Sequence, residues 1–252
     1  MAFGLLAEAV AEFAKRPLVQ KALIKPSSPE AVLSFFTGLD CYSKKDAEKL
    51  RIGSYIQEMS QFWYSGGPLY DELCQPFKPV IQNITKEYFR VDPIWQSSVD
   101  GKVSQLILAD QLARNIFRGS DEAFAYDHIA LDTARFLVQS QNLKEEKMST
   151  EPLIGEFFPS YWTFVATSLM HSECIEDHDT SLRVLDHAKN LCADQLQWWE
   201  DQTRFELDHK KVIEQFGRYP HRNKIHGRLS TAEEETWLAD LDNLPLWAKS
   251  QM

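Results

Sequence analysis

Cysteine, glycine and proline are all scarce in this chain of 252 residues, and each shortage removes a class of protein. Four cysteines, at positions 41, 74, 174 and 192, never approach the short paired spacings of zinc knuckles or dithiol redox centres. Four are also too few to staple a chain that can bury a core unaided, so reduced thiols are expected. Ten glycines and 11 prolines exclude a collagen-like or linker-dominated chain. Positive charge is short as well. With 27 Lys+Arg against 37 Asp+Glu the net charge is −10, and no basic block suits a nucleic-acid partner. The best apolar stretch, residues 157–172, contains Pro159, Ser160, Thr163, Thr167 and His171, too polar and short for a bilayer, so no membrane partner is expected. The N-terminal MAFGLLAEAVAEFAKRP has no basic leader and carries Glu8 and Glu12, unlike a secretory or transit peptide. A cytoplasmic location is the expectation. P-loop, G-x-G-x-x-G, G-x-S-x-G and H-E-x-x-H motifs are missing, and no cofactor or metal is expected.

What remains is an ordinary globular composition, 44% hydrophobic and 25% charged, dominated by helical periodicity. Phe3, Leu6, Val10 and Phe13 share one face of an N-terminal helix. Leu50, Tyr55, Ile56, Met59, Phe62 and Trp63 make a stripe over Ala47–Tyr64. Pro76 and Pro79 predict a kink or two short helices after it. Helical spacing returns over Val103–Asn115, and Ser120 is placed to cap the helix that follows. Residues 139–155, with Pro152 and Gly155, read as a long surface loop around Met148. Phe157–Met170 reads as a buried helix, and Asp179–Phe216 as one long helix or two joined near Gln202, closed by Gly217. Ser230/Glu233 and Thr231/Glu234 both fit a capping box for a final helix. No run alternates like a strand, so the expected class is all-α.

Three polar clusters interrupt this pattern. The first holds Asp110, Gln111, Arg114, Asn115 and Arg118; Asp110 and Arg114 lie one helical turn apart and can pair. It either orders a helix end or presents two guanidinium groups to an anion. The second holds His171 and Glu173, two residues apart, followed by Asp177, His178 and Asp179. The two converge on one pocket only if their helix ends there, with Thr180 capping the next. The H-x-E spacing also opens the zinc-deaminase signature, but its P-C-x-x-C half is missing. The third holds Arg218, His221, Arg222, Asn223, His226 and Arg228, a positive patch in an acidic chain. It is either a loop pinned by ion pairs or an anion site with His221 as proton carrier. Glu206 and His209 have the E-x-x-H spacing of di-iron bundles in a single copy, where two are needed. His128, His187 and His209 read as surface residues.

The segments QLILADQLARNIFRGSDEAFAYDHIAL, MHSECIEDHDTSLRVL and FGRYPHRNKIHGRLSTAEEETWL together resemble the domain of unknown function 924 family, from about Val32 to Leu238. That family is similar in fold to tetratricopeptide-type arrays. Ala113 stands where its pattern has proline, His178 where glutamine is usual, and His226 where leucine is usual. The resemblance implies a fold and a site, and no reaction. The expected organisation is a helical extension over 1–27 and one domain of stacked antiparallel helical hairpins over 28–252. The expected site is one polar pocket for a small anion. Arg114, Arg118, Arg218, Arg222 and Arg228, with Asp110, Gln111, Asn115 and Asn223, would bind it, while His171, Glu173 and His221 carry acid/base work of lyase, isomerase or hydrolase type. The alternative is a non-catalytic scaffold that takes an acidic peptide in its groove. The oligomeric state stays open.

Overall fold

Why the chain folds as it does is visible at its helix ends. A computed structural model describes residues 2–65, 67–85, 91–141 and 153–249. Ser28 accepts a hydrogen bond from the Ala31 amide and opens the helix Pro29–Thr37. Pro76 and Pro79 divide the next stretch into Pro68–Cys74, a 3-10 turn, and Lys78–Asn83. Val99–Leu106 runs on through π-helical turns at Ile107–Leu112 into Ala113–Ile116. Then come Asp127–Ser140, Tyr161–Met170, Ile175–Leu191 and Leu196–Phe216. Gly217 ends the last of these at φ +67°, and Thr231 with Glu234, rather than Ser230 with Glu233, forms the capping box of Ala232–Ala239. Among the described residues there is no strand, only an isolated bridge between Ser98 and Ile154. The protein is all-α. No described helix is long and apolar enough to cross a membrane.

One apolar core runs from Val10 to Trp199. Phe13 of the helix Ala2–Ala14 stacks on Phe62 at 5.0 Å, and Val10 and Phe13 belong to the same core as the rest; the side chains of Phe3 and Leu6 lie outside the described residues. All ten residues of Tyr161–Met170 are buried. That helix packs on Ile175–Leu191, which packs in turn on Leu196–Phe216. A smaller cluster of Val212, Ile213 and Tyr219, with Trp237 and Trp247 against it, closes the C-terminal end.

Four local expectations differ from the structure. The Ala47–Tyr64 stripe is broken before Gly53, and the long C-terminal helix breaks at Cys192–Gln195 rather than near Gln202. One contact explains both: Asp194, in the second break, accepts from the Gly53 and Ser54 amides at 2.9 and 3.1 Å. A carboxylate 141 residues away thus caps the helix Gly53–Ser65. Ser120 turns its hydroxyl back to the Phe117 carbonyl, and the next α-helix starts only at Asp127. Thr180 is buried inside the helix Ile175–Leu191 and bonds the Glu176 carbonyl, so it caps nothing. The loop predicted around Met148 lies mostly in 142–152, outside the described residues. Replacing Asp194 with alanine frees two helix amides and is expected to cost about 1 kcal/mol in a urea unfolding measurement. An unchanged urea midpoint would refute this remote cap.

Candidate functional site

The buried helix Tyr161–Met170 ends at His171, which brings an imidazole out at the end of an apolar rod. The π-helical turns at Ile107–Leu112 carry Asp110 to meet it, with His171 Nδ1 2.6 Å from Asp110 Oδ1. Such turns add a residue to a helical repeat and re-aim the side chains they carry. Arg114 bonds the same carboxylate oxygen at 3.2 Å and reaches Asp127 at 2.8 and 2.9 Å. Asp127 opens its helix, where the helix dipole favours a carboxylate. From the third cluster, Arg222 donates to the His171 carbonyl at 3.0 Å and lies 3.5 Å from Asp127. The Phe124 ring underlies both guanidiniums, 5.0 Å from each.

The other sequence-predicted residues occupy ion pairs around this centre. Arg118 is bidentate on Asp71 at 2.7 and 3.0 Å and also bonds Asn115. Gln111 donates to Asp110, and Asn115 to the Gln111 carbonyl. Arg228 clamps Glu173 at 2.6 and 3.0 Å, and Glu173 also accepts from the Tyr219 amide. Arg218 and Asn223 both hold Glu234. His221 is buried between Tyr219 and Trp247, with ring centres 5.5 and 5.3 Å away. Two cavities flank His171. One, of about 150 Å³, is lined by Arg114, Asn115, Arg118, His209 and Trp247 among others. The second, of about 290 Å³, is lined by Asp110, Asp127, Glu173 and Arg222. His221 lines neither. The three clusters therefore do meet, but around His171 rather than between two histidines.

With this geometry, residues 42–242 match the family described as "Bacterial protein of unknown function (DUF924)". The chain belongs to DUF924. A solved structure of a protein of unknown function from Agrobacterium tumefaciens is 23% identical, covering 74% of this chain and 98% of its own, with a TM-score of 0.48. No curated protein matches.

Electrostatics sharpens what this DUF924 site can do. Burial works against the Asp110 carboxylate, yet His171 and Arg114 outweigh it and hold its carboxyl well below the usual range. An ionised carboxylate only accepts hydrogen bonds, so Nδ1 of His171 carries the hydrogen. Nε2 is then a lone-pair acceptor, and no described group bonds it. Burial and the neighbouring Arg114 and Arg222 also lower the His171 pKa, keeping the ring neutral at pH 7. Burial, then Arg114, push the Arg222 guanidinium below its ordinary value. Three buried guanidinium nitrogens, Arg114 Nη1, Arg222 Nε and Arg228 Nε, have no hydrogen-bond partner. Among the described residues no group of three or more His, Cys, Asp or Glu is placed to hold a metal ion.

Several residues at this DUF924 centre were missed in the sequence. His209, read as a surface residue, is buried, bonds the Phe205 carbonyl at 2.8 Å, and stacks on Trp247 at 3.8 Å. Glu206 is fully buried too, paired with His178 at 2.6 Å and Ser181 at 2.8 Å. Their spacing of three was the signal; it marks one inward face of the helix Leu196–Phe216 rather than a metal site. Asp127 gave no signal beyond its place before an apolar helix.

Proposed function

We propose that this protein binds a small anionic molecule beside His171 and acts on it by acid/base catalysis, of lyase, isomerase or hydrolase type. One observation carries the reading: the His171 ring is oriented through Nδ1 by a buried carboxylate, no described group bonds Nε2, and the residue lines both cavities. A positioned base of this kind takes a proton from substrate or water, and Asp110 stabilises the imidazolium that forms. Arg114 and Arg222 are the cations for the anion, because each lines a cavity beside His171 and keeps a guanidinium nitrogen without a partner. Arg218 and Arg228 are bidentate on carboxylates and line neither cavity, although Arg228 Nε also lacks a partner. Arg118 is bidentate on Asp71 with no such nitrogen, which favours a scaffold role for those three.

The test is a thermal-shift and calorimetric panel of small carboxylates and phosphate on the wild type, Arg222→Gln and His171→Asn. A ligand at 100 times its Kd is expected to add about 2.7 kcal/mol to the wild type. Weaker binding is expected in Arg222→Gln. For any substrate found, kcat/KM should fall on an acid limb below the ordinary histidine pKa of about 6.5. A panel with no stabilising anion, or one whose effect survives both substitutions, sinks the reading.

A further inference from the structure

Resting on that reading of His171 and Arg114, we infer that the smaller cavity takes a carboxylate carried on a single aromatic ring. Size comes first. The cavity measures about 150 Å³, and a cavity of roughly 150 Å³ accommodates one benzene ring. A single ring matches that volume, and acetate leaves most of it empty.

The lining has two chemistries. Trp63, Phe205 and Trp247 contribute aromatic surface, while Arg114, Asn115 and His171 contribute polar groups. Trp247 lies nearly parallel to His209, with an interplanar angle of 21°, so one wall is a flat stack. Flat aromatic surface favours an offset or edge-on ring over a branched aliphatic chain. At the polar side, Arg114 commits Nε and Nη2 to Asp110 and Asp127. Its Nη1 is buried without a partner, and a carboxylate oxygen would supply the missing acceptor. Phosphate could satisfy that donor, but it would leave the three aromatic walls in contact with water. A ring carboxylate satisfies both surfaces, with its anionic end at Arg114.

Benzoate is the probe, compared with acetate, succinate, inorganic phosphate and 2-naphthoate by calorimetry and tryptophan fluorescence. Benzoate is expected to bind roughly tenfold or more tightly than acetate, because the ring adds aromatic contact. It should also perturb the emission of Trp63 or Trp247. Phe205 is 44% exposed, so Phe205→Ala should fold normally. That variant is expected to weaken benzoate by about three- to tenfold and to leave acetate unchanged. Arg114→Gln should weaken every acid. If acetate or phosphate binds in an Arg114-dependent way and benzoate binds no tighter, the ring inference falls while the base reading stands. Benzoate binding untouched by Phe205→Ala, or naphthoate binding as well as benzoate, also overturns it. Silence from the whole panel removes both.

Discussion

Replacing Asp110 with alanine is expected to lower the unfolding free energy by about 3–5 kcal/mol at pH 7, as removing one partner of a buried charge pair does. The carboxylate is 1% exposed and holds His171, Arg114 and Gln111 at once. Without it the imidazole loses its acceptor, and Arg114 keeps only Asp127. The loss depends on pH in a defined direction. The folded carboxyl has a depressed pKa, so it contributes its full stability above the unfolded value of about 3.9. That contribution disappears as the pH falls toward the folded value. The part of the gap between wild type and Asp110→Ala that comes from the carboxylate's own titration should therefore be at full size above about pH 5 and shrink below about 4. Urea unfolding at pH 7, 5 and 3 measures it. An equal gap at pH 3 and pH 7 would mean that the carboxylate is not held low. His171, whose own pKa is lowered, adds an earlier decline in wild-type stability below about 6.5.

Glu206 is expected to behave with the opposite sign. Glu206→Ala should cost about 3 kcal/mol, since it leaves His178 Nδ1 without its hydrogen-bond partner in a fully buried site and opens a cavity. Its pH dependence separates it from Asp110. Burial raises the Glu206 carboxyl despite the opposing His178 contact. A raised folded pKa means that the native state holds its proton longer than the unfolded chain. Stability from this group is then highest below the ordinary glutamic value of about 4.3 and declines as the pH rises through the window above it. Glu206→Gln keeps the shape and removes the titration. It should gain on the wild type between pH 4 and pH 7 in the same urea series. A variant that instead loses ground over that range would show a stabilised carboxylate and refute the raised value.

The contrast between these two acids shows where sequence reading reached and where it stopped. Asp110 and Arg114 could be paired from their spacing because a helix puts i and i+4 side by side. Glu206 with His209 has an equally local signal, but its spacing reads only as half of a metal motif. Its real partner, His178, lies 28 residues away on the preceding helix. The arginines repeat this pattern. That Arg118 and Arg228 would need anions was legible, but that these would be Asp71, 47 residues back, and Glu173, 55 back, was not. The two breaks joined by Asp194 follow the same logic, since neither Gly53 nor Cys192 announces a cap supplied by the other segment.

By itself the sequence determined the helical class, the split at Pro76 and Pro79, the stop at Gly217, the capped acidic start of the helix Ala232–Ala239, and three polar clusters set into apolar helices. These features depend on backbone dihedrals and on periodicities within a few residues, so local composition suffices to specify them. Only the tertiary structure decided which carboxylate answers each guanidinium, that His171 rather than His221 sits at the centre, and that His209 and Glu206 face inward. Burial and charge pairing depend on which helix faces pack together, and packing is a property of the whole chain.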